Sequence, residues 1–238
     1  MYRGLSVAAI VPVLDEERKI AEVLRRMPRG SVDEILIVDD GSVDRSAEVA
    51  RSLGARVICM GRTAGVGAAL RAGFAHALQG GHDVLVVMAG NNKDAPEEIP
   101  LLLDPIADGR ADVVQGSRFL KRHADFGPMP RYRRLATRIH PLLFSLVARR
   151  RVTDSTNGFR AIHGRVLRDP RLDLDQSWLD AYELEPYFYL TAMRLGYRMV
   201  EVPVTKIYPP RELGQTKMKP ITGWWSILRP LVYAGLGR

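Results

Sequence analysis

From Val7 to Val13 the chain is apolar at all seven positions. A run this short, with no polar alternation, reads as a strand buried on both faces. Short apolar runs over Glu34–Val38, Ala55–Met60, Asp83–Met88 and Asp112–Gly116 read the same way. Between them the apolar spacing lengthens. Ile20, Val23, Leu24 and Met27 fall on one face of a helix over Glu16–Met27, and helices follow over Ser46–Leu53, Gly67–Leu78 and Pro96–Ala107. Strands that alternate with helices predict a mostly parallel sheet covered on both faces. Ligands of such sheets bind outside the carboxyl ends of the strands, which is where the polar turns of this sequence fall.

Past residue 118 the pattern changes. Basic clusters stand at Lys121-Arg122-His123, Arg131-Tyr132-Arg133-Arg134 and Arg149-Arg150-Arg151. Between the last two, Leu135, Ile139, Leu142, Leu143, Leu146 and Val147 recur at helical spacing. Tyr187–Leu195 reads as a further helix and Tyr197–Val204 as a strand. The tail carries Trp224, Trp225 and Tyr233 beside Arg229. It is too short and broken to cross a bilayer, and is expected to pack as core or make a homo-oligomer contact rather than lie in a membrane interface. With no internal repeat and no linker, a single α/β domain over residues 1–238 is expected.

Composition narrows the class. The chain has 238 residues, 46% hydrophobic and 26% charged, enough for a core without covalent staples. Cys59 is the single cysteine, which rules out an intrachain disulfide and a cysteine-based zinc site and fits a reducing compartment. The first residues lack the features of a signal peptide, so a cytoplasmic location is expected, peripheral on the inner membrane face as a variant of it. The net charge of +8 attracts polyanions. No recognition motif accompanies that charge, so nucleic acid is not an expected partner.

Three turns carry candidate chemistry. The second strand opens into Asp39-Asp40-Gly41-Ser42-Val43-Asp44, and the first ends in Pro12-Val13-Leu14-Asp15-Glu16-Glu17. Carboxylates at strand ends accept hydrogen bonds from ribose hydroxyls or a base, or hold a cation. The same residues also serve as turn formers and helix caps. After the third strand, Gly65-Val66-Gly67 opens a helix whose N-terminus favours anions. The full dinucleotide fingerprint and the Walker lysine are absent, which disfavours a dinucleotide oxidoreductase.

In order, these pieces resemble family 2 of the GT-A glycosyltransferases, and dolichol-phosphate mannose synthases with their bacterial polyprenyl-phosphate relatives most of all. The marks are Val11-Pro12 with Asp15-Glu16-Glu17, Ile37-Val38-Asp39-Asp40-Gly41-Ser42 with Asp44, Gly65-Val66-Gly67 and Val114 to Phe119. Asp154 to Arg160, Glu201-Val202-Pro203-Val204 and Arg211 to Lys217 complete the set. The resemblance implies an inverting transfer from a nucleotide diphosphate sugar to a polyprenyl phosphate or similar acceptor. Alternatives are a hydroxyl acceptor on a small molecule or polymer, and a catalytically silent nucleotide-sugar-binding module. It implies a donor half over 1–119, an acceptor half over 120–219 and an amphipathic tail over 220–238. Pro12, Asp15, Asp39, Asp40, Gly67 and Asn91 would hold the donor, with Arg211 and Lys217 on its diphosphate. Arg118 would meet the leaving charge, and Asp154 would act as base or acceptor-positioning residue, with Glu183 or Glu185 behind it. The basic clusters would receive a lipid phosphate or an anionic membrane surface.

The sequence departs from the family in one place. Where the family has an Asp-x-Asp metal motif, this chain reads Ala89-Gly90-Asn91-Asn92-Lys93-Asp94. Alanine cannot ligate a metal, and asparagine offers one neutral oxygen. Either Lys93 supplies the positive charge, or a weakened Mg²⁺ or Mn²⁺ site persists through Asn91, Asp94 and the diphosphate.

Overall fold

The computed structural model describes residues 1–121, 126–209, 212, 217–218 and 222–236. Seven strands form one sheet in the order β3-β2-β1-β4-β6-β5-β7. They are β1 (Val7–Val13), β2 (Glu34–Asp39), β3 (Arg56–Cys59), β4 (Val84–Val87), β5 (Val113–Ser117), β6 (Arg160–His163) and β7 (Met199–Pro203). The helices are α1 (Glu17–Arg25), α2 (Ser46–Ser52), α3 (Val66–Gln79), α4 (Ile99–Ala107), α5 (Arg131–Ala148), α6 (Gly164–Leu167), α7 (Leu184–Arg194) and α8 (Thr222–Gly235).

Alternate residues of β1 feed two separate cores. Val7, Ala9, Val11 and Val13 pack with Ile20, Val23 and Leu24 of α1 and with α4. Ala8 and Ile10 pack with Leu70 and Phe74 of α3 and with Phe188 of α7. Burial on both faces is why the run has no polar alternation.

The expected parallel order holds for β1, β2, β3 and β4. One strand was not legible. β6 lies between β4 and β5 and runs antiparallel to both. Its four residues, Arg160-Ala161-Ile162-His163, are too few and too mixed to show a period. Its direction matters, because Arg160 pairs with Val87 of β4 and Gln115 of β5 near their carboxyl ends. The loop that precedes β6, not the one that follows it, therefore lies at the ligand edge of the sheet. That loop is Asp154–Phe159.

The tail forms α8, with Gly223, Ser226, Ile227, Pro230 and Leu231 buried. His140 of α5 ties it down. Its Nε2 lies 3.1 Å from the Ile227 carbonyl and its Nδ1 2.7 Å from Ser155 Oγ. A carbonyl only accepts, so Nε2 donates and Nδ1 accepts from the serine. Burial lowers the pKa of this imidazole, consistent with a neutral ring.

α3 lies so close to the sheet that a Cβ on Gly73 would stand 2.5 Å from Ile10 Cγ2 and 3.1 Å from Val38 Cγ2. Gly73→Ala is expected to destabilise the fold by about 1–3 kcal/mol through overpacking, read as a lower urea midpoint at unchanged m-value.

Candidate active site

A cleft of about 530 Å³ opens at the carboxyl ends of β1, β2, β4 and β5. Its acidic side is built from interlocked turns. Asp15, at φ +47°, donates its backbone N–H to Ser42 Oγ (2.9 Å), and its carboxylate accepts from Val43 N–H (2.9 Å). Asp40 accepts from Ala64 N–H at 2.7 Å and from Gly65 N–H at 3.0 Å. Asp39 accepts from Ser42 N–H at 3.0 Å. The β2 carboxylates thus organise the loops around the cleft.

Opposite stands a group of cations. Lys19, Lys93, Arg118, Arg133, Lys206 and Lys217 all line the cleft. Arg118 leaves the end of β5 and is 2% exposed, and Asp154 is fully buried. Arg118 Nε and Nη2 each donate to one oxygen of Asp154 at 2.7 Å, and Arg118 N–H donates at 3.0 Å. Arg118 Nη2 also donates to Thr156 Oγ1. Burial alone would raise the Asp154 pKa, but the Arg118 charge and these hydrogen bonds hold it below the usual carboxylate range. Glu201 of β7 fixes the loop from behind, accepting from Thr153 and Asp154 N–H at 2.8 and 2.9 Å.

Of the residues expected at the site, Pro12, Asp15, Asp40, Asn91, Lys93, Arg118 and Lys217 line the cleft. Four expectations need correction. Asp154 is not placed as a base, because both its oxygens are taken by Arg118 and none of its surface is open. It is a positioning residue for Arg118. Gly67 does not face the cleft; a Cβ there would stand 2.0 Å from the Leu179 carbonyl, so glycine is required by close packing of α3 on the 179–181 loop. Asp39 is buried behind its turn. Asp94 is 2% exposed and bound to Lys206 Nζ at 2.6 Å. Arg211 lies outside the described residues. Lys217 reaches the β1 turn, where its ammonium donates to the Leu14 and Asp15 carbonyls.

The donor set does not fit a divalent cation. Ala89 has no ligand atom, Asn91 Oδ1 accepts from Lys93 N–H at 3.3 Å, and Asp94 Oδ1 is held by Lys206. Asp94 Oδ2 is buried without a hydrogen-bond partner, yet it stands alone as an anionic oxygen beside ammonium groups. Among the described residues no three His, Cys, Asp or Glu side chains are grouped to hold a metal ion.

Several cleft residues had no legible sign. Lys19 sits on a helix face that reads as solvated, yet it is 8% exposed and paired with Glu16. Lys206 and Tyr208 follow β7 with no motif around them. Glu185, by contrast, was expected behind Asp154, and it enters the cleft from α7, with Tyr182 from the segment that leads into that helix. Glu185 Oε1 accepts from Arg160 Nη2 at 3.2 Å.

A sheet covered on both faces, with a polar cleft at the ends of its parallel strands and one inverted strand, agrees with the GT-A fold that the sequence resemblance leads one to expect. The chain belongs to Glycosyl transferase family 2, which matches residues 8–170. It is 34% identical over 224 residues to an undecaprenyl-phosphate mannosyltransferase of Micrococcus luteus, covering 90% of this chain and 88% of that one. It is 33% identical over 216 residues to a polyprenol monophosphomannose synthase of Mycolicibacterium smegmatis, covering 88% and 79%. A glucosyl-3-phosphoglycerate synthase from Mycobacterium tuberculosis in complex with UDP shares the fold at a TM-score of 0.71. That match has 20% identity and covers 97% of this chain and 80% of that one.

Two outcomes follow from the site's charges. Removing one partner of the buried pair leaves the other uncompensated, so Asp154→Asn should cost about 3–5 kcal/mol in chemical denaturation. Lys93 is 6% exposed. Burial, then the charges of Lys206, Arg133 and Lys19, lower its pKa from 10.5 to about 7 against the opposing pull of Asp94. Between pH 7 and 10.5 the unfolded chain holds a proton that the folded chain has shed, so stability rises with pH across that window. Lys93→Met should remove this dependence. The variant should melt above the wild type at pH 6, by no more than about 5 kcal/mol, with the gap closing above pH 10.

Proposed function

We infer that this glycosyltransferase moves a sugar from a nucleoside diphosphate sugar to a polyprenyl phosphate, with inversion at the anomeric carbon. The observation that carries this reading is a cleft that joins acidic, amide-rich turns to a bank of cations and opens beside α5. The turns of Asp15 and Asp40 suit a ribose and base, and the cations suit phosphate.

An oxygen of the acceptor phosphate attacks the anomeric carbon. The bond from that carbon to the donor β-phosphate oxygen breaks, and the nucleoside diphosphate leaves with the electron pair. Charge grows on the leaving diphosphate, and fixed cations in a partly dry cleft stabilise it more than water does. Arg118 has its fork set by Asp154 before substrate arrives, so little reorganisation remains. A phosphate nucleophile is already anionic and needs no general base. A hydroxyl acceptor would need one within reach, and of the carboxylates the sequence offers for that task Asp154 is held by Arg118 and Glu185 Oε1 by Arg160. This favours a phosphate acceptor, as do the relatives that act on undecaprenyl and polyprenol phosphates.

The face of α5 suits a lipid substrate. Arg133 and Thr137 turn into the cleft, while Leu135, Ile139, Leu142 and Leu146 are exposed, Leu146 at 76%. Arg131, Arg134, Arg138, Arg149 and Arg150 stand among them. Exposed leucines ringed by arginine match an anionic bilayer surface. No helix among the described residues is long and apolar enough to cross a membrane.

The test is incubation of the full chain with nucleoside diphosphate sugars and polyprenyl phosphate in anionic liposomes. A lipid-linked sugar phosphate detected by mass spectrometry is the expected product. Turnover with a water-soluble hydroxyl acceptor instead, and none with lipid phosphate, would refute the acceptor assignment. Leu142→Asp with Leu146→Asp should cut liposome co-sedimentation about tenfold while leaving the melting temperature within a few degrees, since both side chains are exposed.

A further inference from the structure

The turn after β4 meets the segment after β7 in a short backbone pairing. Asp94 pairs with Lys206 across an isolated antiparallel bridge, and Ile207 N–H donates to the Lys93 carbonyl at 2.9 Å. This pairing sets Lys93 and Lys206 side by side at the cleft. Lys206 Nζ is aimed by two acceptors, Asp94 Oδ1 at 2.6 Å and Asn157 Oδ1 at 2.8 Å. Lys93 Nζ lies 4.8 Å from the centre of the Tyr208 ring, and the Arg133 guanidinium lies 5.6 Å from the same ring. Tyr208 is 2% exposed, so the shelf beneath both cations is rigid.

With Asp94 counted against Lys206, Lys93 and Arg133 together carry the formal charge of one divalent cation. They stand where Ala89 and Asn91 leave a metal without ligands. Crowding these cations at one end of the cleft leaves the site short of negative charge. A diphosphate would supply it.

We propose that Lys93 and Arg133, with Lys206 fixed beside them, neutralise the donor diphosphate in place of a divalent cation, so that donor binding needs no metal. The inference rests on the donor-site reading above and concerns how that site handles charge. Its structural basis is an ammonium in the β4 turn, with the nearby carboxylate turned to orient a second ammonium.

The test is isothermal titration of the full chain with UDP, GDP, CDP and dTDP, in EDTA and again in MnCl₂ or MgCl₂. At least one nucleotide is expected to bind in EDTA with a Kd within about threefold of its value with Mn²⁺. Lys93→Met should weaken that binding at least tenfold in EDTA, and Lys93→Arg should restore most of it. The spin-resonance signal of free Mn²⁺ should be unchanged by the protein alone. Binding that appears only with added metal would overturn the inference and leave the donor site standing, as would loss of the Mn²⁺ signal on adding protein. No binding of any nucleotide in either condition would overturn the donor-site reading, and the inference with it. The wild-type comparison decides the matter even if Lys93→Met does not fold.

Discussion

The buried pair of Arg118 and Asp154 ties the end of β5 to the loop before β6, and the cation side of the site depends on it. Arg118 ends β5, Asp154 begins the loop into β6, and Glu201 of β7 caps the same loop from below. Three neighbouring strands thereby converge on one guanidinium. A charge this deep needs a hydrogen-bonded counter-ion, and both oxygens of Asp154, with Thr156 beside them, accept from Nε and Nη2 of Arg118. Its energetic worth is less important than its geometry. Arginine at a strand end would otherwise sample many rotamers, whereas here its fork has one direction.

Electrostatic imbalance is the second theme. The cleft gathers cations from α1, the β4 turn, β5, α5 and the segment after β7. Like charges held together in low dielectric are unfavourable in the free protein, and the cost is tolerated where an anion is to be met. The acidic turns relieve only part of it: Glu16 pairs with Lys19 and Asp15 lies 3.6 Å from Lys217, while Asp40 is held by backbone amides. Each wall is thus matched to a different part of an elongated, partly anionic ligand.

Much of the fold was legible because burial on both faces leaves unbroken apolar runs. β1, β2 and β4 announced themselves in that way, and the helices between them by their spacing. β6 was hidden because four residues carry no period. The site divided along a similar line. Residues in ordered motifs, such as Asp40 and Arg118, line the cleft at the strand ends. Asp154 was found in the right neighbourhood with the wrong task, since sequence reports a carboxylate but not which cation has taken it. Lys206 and Tyr208 could not be read at all. Their placement depends on a pairing between segments more than a hundred residues apart, and long-range pairing leaves no local pattern.

The inverted strand has a consequence for how such a chain can diversify. The turns after β1 to β4 and the loop before β6 reach the same cleft from separate stretches of sequence, and neither stretch forms part of the other's strands. Exchange of the loop with its flanking helix α5 would alter one wall and leave the opposite wall's backbone untouched. The architecture is in that sense modular. A lineage can trade one ligand for another on one side while its partner on the other side stays under an unchanged constraint.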